Sequence, residues 1–134
     1  MTIRAVADTH AILWYLYNDP RLSVTATNLM DTIDKANDQL AISSVTLAEI
    51  VYLVEKGKIH ATSFERVVTT LSRANTSLVE IPFDRSIADT MRKIERSQIP
   101  EFPDRIIAAT SLLLSVPLIS RDHKIQASIV TTIW

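Results

Sequence analysis

The chain has 134 residues, a formal net charge of −1, 47% hydrophobic and 22% charged residues, and no cysteine. These values describe one domain, residues 1–134, with a substantial core and an ordinary surface; they exclude disulfides, a thiolate nucleophile and a cysteine zinc site. The single glycine, Gly57, excludes a G-x-G-x-x-G turn or P-loop, and the near-zero charge excludes bulk attraction to nucleic acid, so any such contact must be local.

In chain order, residues 3–7 read as a buried strand and 10–17 as an apolar helix, followed by a turn at Asn18-Asp19-Pro20. Ser23 is the expected N-cap of a helix running to about residue 37. Residues 39–43 form the second strand, and an apolar helix follows from Val45 to Glu55, closed by Gly57. Thr62 or Ser63 caps the next helix, which ends near Arg73. Residues 77–81 are the third strand, stopped by Pro82, and Asp84 or Ser86 opens a helix to about Arg96. After a loop at 98–102, Pro103 suits the first turn of a helix ending at Leu114. Residues 116–120 are the fourth strand, 121–124 a turn, and 129–134 the fifth strand. The longest apolar stretch, Ile106 to Ile119, is interrupted by Thr110, Ser111, Ser115 and Pro117 and is too short for a membrane span. The amino terminus carries no signal-peptide pattern, so a cytoplasmic protein is expected.

Short apolar strands alternating with helices predict an α/β fold, a five-stranded parallel sheet with helices on both faces. Right-handed crossovers then bring all strand carboxyl ends to one edge, where ligands bind in such folds. Four acids fall at or near that edge. Asp8 ends the first strand, Asp122 follows the fourth by two residues, Glu49 lies in the apolar helix after the second, and Asp104 lies in the first turn of the helix that opens with Pro103. Singly, Asp8 and Asp122 are ordinary turn or cap residues, and Asp104 suits a helix dipole. Glu49 is harder to explain as structure, because its helix neighbours are mostly apolar. Two carboxylates about 5 Å apart repel by roughly 3 kcal/mol at an effective dielectric near 20. Four that converge require protonation or cations; hard divalent cations with oxygen ligands are the natural answer, and Mg²⁺ or Mn²⁺ fits. Such ions serve phosphoryl chemistry by activating water and stabilising charge on the phosphate and leaving oxygen.

Four stretches in order, Ala7-Asp8-Thr9-His10-Ala11-Ile12-Leu13-Trp14, residues 42–50 around Glu49, Pro103-Asp104-Arg105-Ile106-Ile107-Ala108-Ala109 and Leu118-Ile119-Ser120-Arg121-Asp122, resemble the PIN-domain ribonucleases, specifically the VapC-type toxins of toxin–antitoxin pairs. The resemblance implies a single PIN-like domain and metal-dependent endonucleolytic cleavage of RNA. It assigns catalysis and the Mg²⁺ or Mn²⁺ ion to Asp8, Glu49, Asp104 and Asp122. It also implies a homodimer and silencing by a cognate antitoxin protein. Glu101-Phe102 departs from the family, as does the segment after Asp122, His123-Lys124-Ile125-Gln126; both bear on substrate choice.

Around the acids, Thr9 and Ser120 are expected to orient a carboxylate or a water, and Ser43 and Ser44 to cap a helix. Arg105 and Arg121 are candidate RNA contacts, and Arg92, Lys93 and Arg96 with Lys56 and Lys58 form basic clusters whose default is a solvated face. Trp14, Tyr15 and Tyr17 are expected in the core or on a partner surface. The helical hairpin between residues 45 and 75 is a second candidate partner surface. His10, His60 and His123 have no spacing that makes a metal site. Two other readings fit acids at strand ends. A phospho-acceptor domain lacks the lysine it needs after strand five, and a catalytically silent PIN-like binding module is separable by metal titration.

Overall fold

The computed structural model describes residues 2–134. Five strands form one sheet in the order β3-β2-β1-β4-β5: β1 (Ile3–Ala7), β2 (Gln39–Ser43), β3 (Leu78–Ile81), β4 (Leu118–Ile119) and β5 (Thr132–Ile133). Every neighbouring pair is parallel. All five carboxyl ends therefore meet one edge, and strand order reverses between β1 and β4, the place where a crevice opens in such sheets.

Among the described residues, seven helices cover the two faces: α1 (Thr9–Leu16), α2 (Val24–Lys35), α3 (Ser44–Glu55), α4 (Ser63–Ser72), α5 (Arg85–Met91), α6 (Phe102–Leu114) and α7 (His123–Gln126). The strand period of two divides the core between them. Ala5, Ala7, Leu40, Ile42 and Ile119 belong to the cluster that holds Ile12, Met30, Ile50 and Val67 from α1 to α4. Val6, Ala41 and Leu118 belong to the cluster that holds Ile87, Ile106, Ile107 and Ile125 from α5 to α7. Burial on both faces is what makes β1 and β2 read as nearly continuous apolar runs. Truncating a side chain such as Ile42 or Ile107 to alanine removes about 2–5 kcal/mol.

The helix boundaries follow from local capping. Asp8, Ser23, Ser43 and Asp84 each accept a backbone N–H from the first turn of the helix they precede. Gly57 adopts φ +67° after α3, and its N–H and that of Lys58 close back onto Val54 and Leu53. Four expected elements differ. The helix expected to reach Arg96 ends at Met91, because residues 92–94 tighten into bonds three residues back and the Met91 and Ile94 carbonyls are taken by Arg105. The expected turn at 121–124 instead starts a short helix, because Asp122 caps the N–H groups of Lys124 and Ile125. Strands four and five shrink to two residues each, since left-handed Ser115 and Pro117 occupy the start of one and a turn through Ser128 the start of the other. Among the described residues, no helix is long and apolar enough to cross a membrane.

Candidate active site

A cavity of about 710 Å³ opens at the carboxyl edge of the sheet. Asp8, Glu49, Asp104 and Asp122 all line it, with Glu101 beside them. Each acid arrives by its own local chemistry. Asp8 follows β1 and caps α1, its Oδ1 accepting the Ala11 N–H at 2.9 Å. Asp122 follows β4 and caps α7, its Oδ1 accepting from Lys124 at 2.8 Å and Ile125 at 3.3 Å. Asp104 sits in the first turn of α6 behind Pro103. The capping role and the cavity role therefore coincide at Asp8 and Asp122: a cap at a strand-to-helix junction of a parallel sheet is already at the site.

Glu49 is held by side chains. Thr9, buried at the start of α1, donates its hydroxyl proton to Glu49 Oε1 at 2.5 Å. The Thr9 and Thr46 hydroxyls lie 3.1 Å apart, and since Thr9 has given its one proton to Glu49, Thr46 is the donor to Thr9. Thr46, one helical turn before Glu49, is a site residue that sequence reading passed over. Its signal was a β-branched hydroxyl at the i−3 position inside an apolar helix. Ser120 lies against Asp8 and accepts the Asp122 N–H at 3.1 Å, so one hydroxyl ties the ends of β1 and β4.

The electrostatics record the crowding. Burial pushes the Asp8 carboxyl above its ordinary range; the Ser120 hydroxyl, the Ala11 N–H and His10 pull it back, and Glu49 adds to the rise. Asp104 is pushed up to about 7, first by burial and then by Glu49, Asp122, Asp8 and Glu101. None of the four takes part in an ion pair among the described residues, whose three salt bridges are Arg4–Asp38, Arg21–Asp19 and Arg92–Asp89. The neighbouring arginines do not neutralise them. Arg105 does not line the cavity; its Nη2 donates to the Met91 and Ile94 carbonyls and its Nε is buried without a partner. Arg121 does line the cavity, with its guanidinium 4.4 Å from the Trp14 ring centroid.

The rim is basic and aromatic. Arg21, Arg121, Lys124, His10 and His123 surround the acids. Trp14, expected in the core, is 6% exposed and is indeed packed there, but it also forms part of the cavity wall. Its ring is approached by Arg21 at 4.9 Å, by His10 at 5.5 Å and by Trp134 at 5.9 Å. The carboxylates are spread around the cavity rather than closed on a point, and among the described residues no three acids or histidines form a ready-made ion cage. The donor set nevertheless fits a hard divalent cation. It is all oxygen, Asp104 receives none of the hydrogen bonds that hold the other three, and the mutual repulsion that raises Asp104 is what a cation relieves.

A parallel α/β domain with an acid-lined crevice at its topological switch point is thus defined by fold and site together. The chain belongs to the PIN domain family, whose model matches residues 5–128. Among solved structures it is similar to VapBC2 from Rickettsia felis bound to a promoter DNA fragment, at 20% identity and a TM-score of 0.72 over 98% of each chain. It is similar to a toxin–antitoxin complex from Klebsiella pneumoniae, at 25% identity and a TM-score of 0.68 over 97% of this chain and 96% of that one. It also resembles VapC20 of Mycobacterium tuberculosis, a sarcin–ricin loop cleaving toxin, at 14% identity and a TM-score of 0.66 over 92% and 93%. No curated protein matches.

Proposed function

We propose that this chain is a VapC-type toxin, a cytoplasmic endoribonuclease that hydrolyses RNA phosphodiester bonds with Mg²⁺ or Mn²⁺ and is silenced by a cognate antitoxin. The observation that carries the reading is one cavity walled by four carboxylates from four separate elements, with no cation paired to any of them among the described residues. PIN family membership over residues 5–128 supports it. So does likeness to a chain from a toxin–antitoxin complex, which also argues for an antitoxin partner. A homodimer is part of the same proposal.

Asp8, Glu49, Asp104 and Asp122 are the residues that would hold the ion, directly or through water. When bound, it supplies an activated water and charge stabilisation at the phosphate and the leaving oxygen. The chain's own groups prepare that chemistry. The Ala11 N–H fixes Asp8, the Lys124 and Ile125 N–H groups fix Asp122, and the Thr46–Thr9 pair aims Glu49. Ser120 keeps the β1 and β4 ends in register beside Asp8. Arg121 and Lys124 give the rim the positive charge that draws a phosphodiester toward an otherwise acidic wall. Arg105, tied to backbone carbonyls, is assigned to support of α6 instead of RNA contact.

The test uses purified chain freed of any co-purifying partner, incubated with cellular RNA and Mg²⁺, Mn²⁺ or EDTA, beside Asp8→Asn of verified fold. Discrete cleavage that needs both the metal and Asp8 is expected. Cleavage that survives EDTA, or equal cleavage by Asp8→Asn, overturns the reading. Absence of both cleavage and metal binding leaves a silent binding module.

A further inference from the structure

The acid cavity continues past its own rim. A second cavity of about 330 Å³ shares His10, Trp14 and Arg21 with it, so a ligand long enough to cross that wall occupies both. On the far side the wall carries Tyr17, Lys58 and His60. His60 is exposed and stacked on Tyr17, with centroids 4.7 Å apart and planes inclined by 24°. Tyr17 is itself fixed: its hydroxyl lies 2.7 Å from that of Thr62, and the Arg66 guanidinium sits 4.6 Å from its ring centroid. The imidazole is therefore a flat ring stacked on a fixed tyrosine and turned to solvent.

The charges of this second cavity are equally arranged. Asp19, its acid, is committed to Arg21, accepting from its backbone N, Nε and Nη2 at 2.9, 3.1 and 2.7 Å. That bond holds Arg21 over Trp14 at the wall between the cavities. Lys58, set just after the left-handed Gly57, is exposed and has no ion pair among the described residues. A planar ring stacked on a fixed tyrosine beside an unpaired ammonium is the pairing that single-stranded nucleic acid uses, with bases on aromatic faces and phosphates on cations. A base free to stack in this way must be out of a duplex.

We infer that the second cavity seats a nucleotide flanking the scissile phosphate of a single-stranded RNA, its base on His60 and its phosphate against Lys58 and Arg21. The inference rests on the nuclease reading for the acid cavity. It makes Arg21 and Trp14 the ridge over which the strand passes, and His60 and Lys58 determinants of substrate length and shape rather than of bond cleavage.

The test takes a cleavable oligoribonucleotide and extends it one nucleotide at a time, from either end in separate series, measuring kcat/KM with Mg²⁺. A parallel series measures affinity of labelled oligonucleotides for the Asp8→Asn chain, so that binding is read without cleavage. In one series a distinct rise is expected when the strand becomes long enough to cross the ridge. His60→Ala should shrink that rise by about five- to hundredfold, the range for loss of one stacked base. His60→Phe, which keeps a flat ring, should retain most of it, and Lys58→Ala should reduce both the rise and its salt dependence. Cleavage with no length-dependent rise, or a rise that His60→Ala and Lys58→Ala leave intact, overturns the subsite while the nuclease reading stands. A rise in binding that depends on His60 and Lys58, in a protein whose wild type cleaves nothing, supports the subsite and removes the nuclease reading. If the two substitutions leave RNA untouched and instead release a co-purified protein, the cavity is a protein seat and the inference fails.

Discussion

The two edges of the sheet treat carboxylates in opposite ways. At the amino edge, Asp38 accepts from the Thr2 N–H and pairs with Arg4 at 3.1 Å, tying the segment before β2 to the start of β1. At the carboxyl edge, four acids share one cavity and none is paired with a cation among the described residues. Both edges belong to the same strands, β1 and β2, so the difference is not one of fold. A charge placed for stability is given its counter-ion by the chain. At the cavity, Asp8, Glu49 and Asp122 are held by hydrogen bonds and Asp104 is not, none has a counter-ion among the described residues, and Asp104 is pushed up first by burial and then by its acidic neighbours.

The sharpest way to break this contrast is Asp104→Asn. RNA cleavage should fall by more than the about 10- to 100-fold that losing a group which orients a metal ligand costs, because Asp104 would hold the ion itself. The same substitution should raise the thermal midpoint of the metal-free chain by a few degrees, because it deletes one of the repelling charges. Loss of activity with a lower midpoint would show that Asp104 is structural. Next in size is the response to the ion. Mg²⁺ or Mn²⁺ at about one hundred times its dissociation constant should stabilise the wild-type chain by about 2.7 kcal/mol in a thermal or urea melt, with no such shift in Asp8→Asn.

Smaller effects sharpen the contrast at single bonds. Thr9→Val keeps shape but removes the donor to Glu49 and the acceptor for Thr46. Losing a group that orients a metal ligand costs about 10- to 100-fold in metal affinity or activity, which an ion titration and a cleavage assay would each detect. The smallest effect belongs to the paired edge. The Arg4–Asp38 pair has one partner more than half exposed, so Arg4→Ala should cost no more than about 1 kcal/mol in denaturant melts and leave cleavage unaffected. A large loss of activity in Arg4→Ala would mean that the two edges are coupled.

Much of this arrangement was legible in the chain itself. Alternation of short apolar strands with capped helices, and an acid at each of the relevant junctions, are short-range features: a short polar side chain either accepts the N–H of the next turn or does not. Asp8 lies at the expected junction of strand and helix, whereas Asp122 lies at the expected edge but caps a short helix where a turn is expected. Thr9 is expected to orient a carboxylate because it adjoins Asp8 in sequence, but the carboxylate it reaches is Glu49, and its other partner, Thr46, has no such signal. What local reading missed lies where a side chain must choose between distant partners. Arg105 stands next to Asp104 in sequence yet turns to the carbonyls that end α5, because a buried helix end with open carbonyls offers a guanidinium better bonds than a half-solvated acid. Trp14 has the apolar spacing of a core residue and is one, but its position also makes it the wall between two cavities.

By itself, the sequence determined the element types, their order and which residues carry charge at the element boundaries, since these depend on side-chain period and on bonds spanning a few residues. Only the tertiary structure decided that β4 lies beside β1 and β2 on its other side, so that residues as far apart as Asp8, Glu49, Asp104 and Asp122 face one cavity. That choice is made by burying both faces of a parallel sheet under helices, a long-range packing condition that no local stretch of the chain contains.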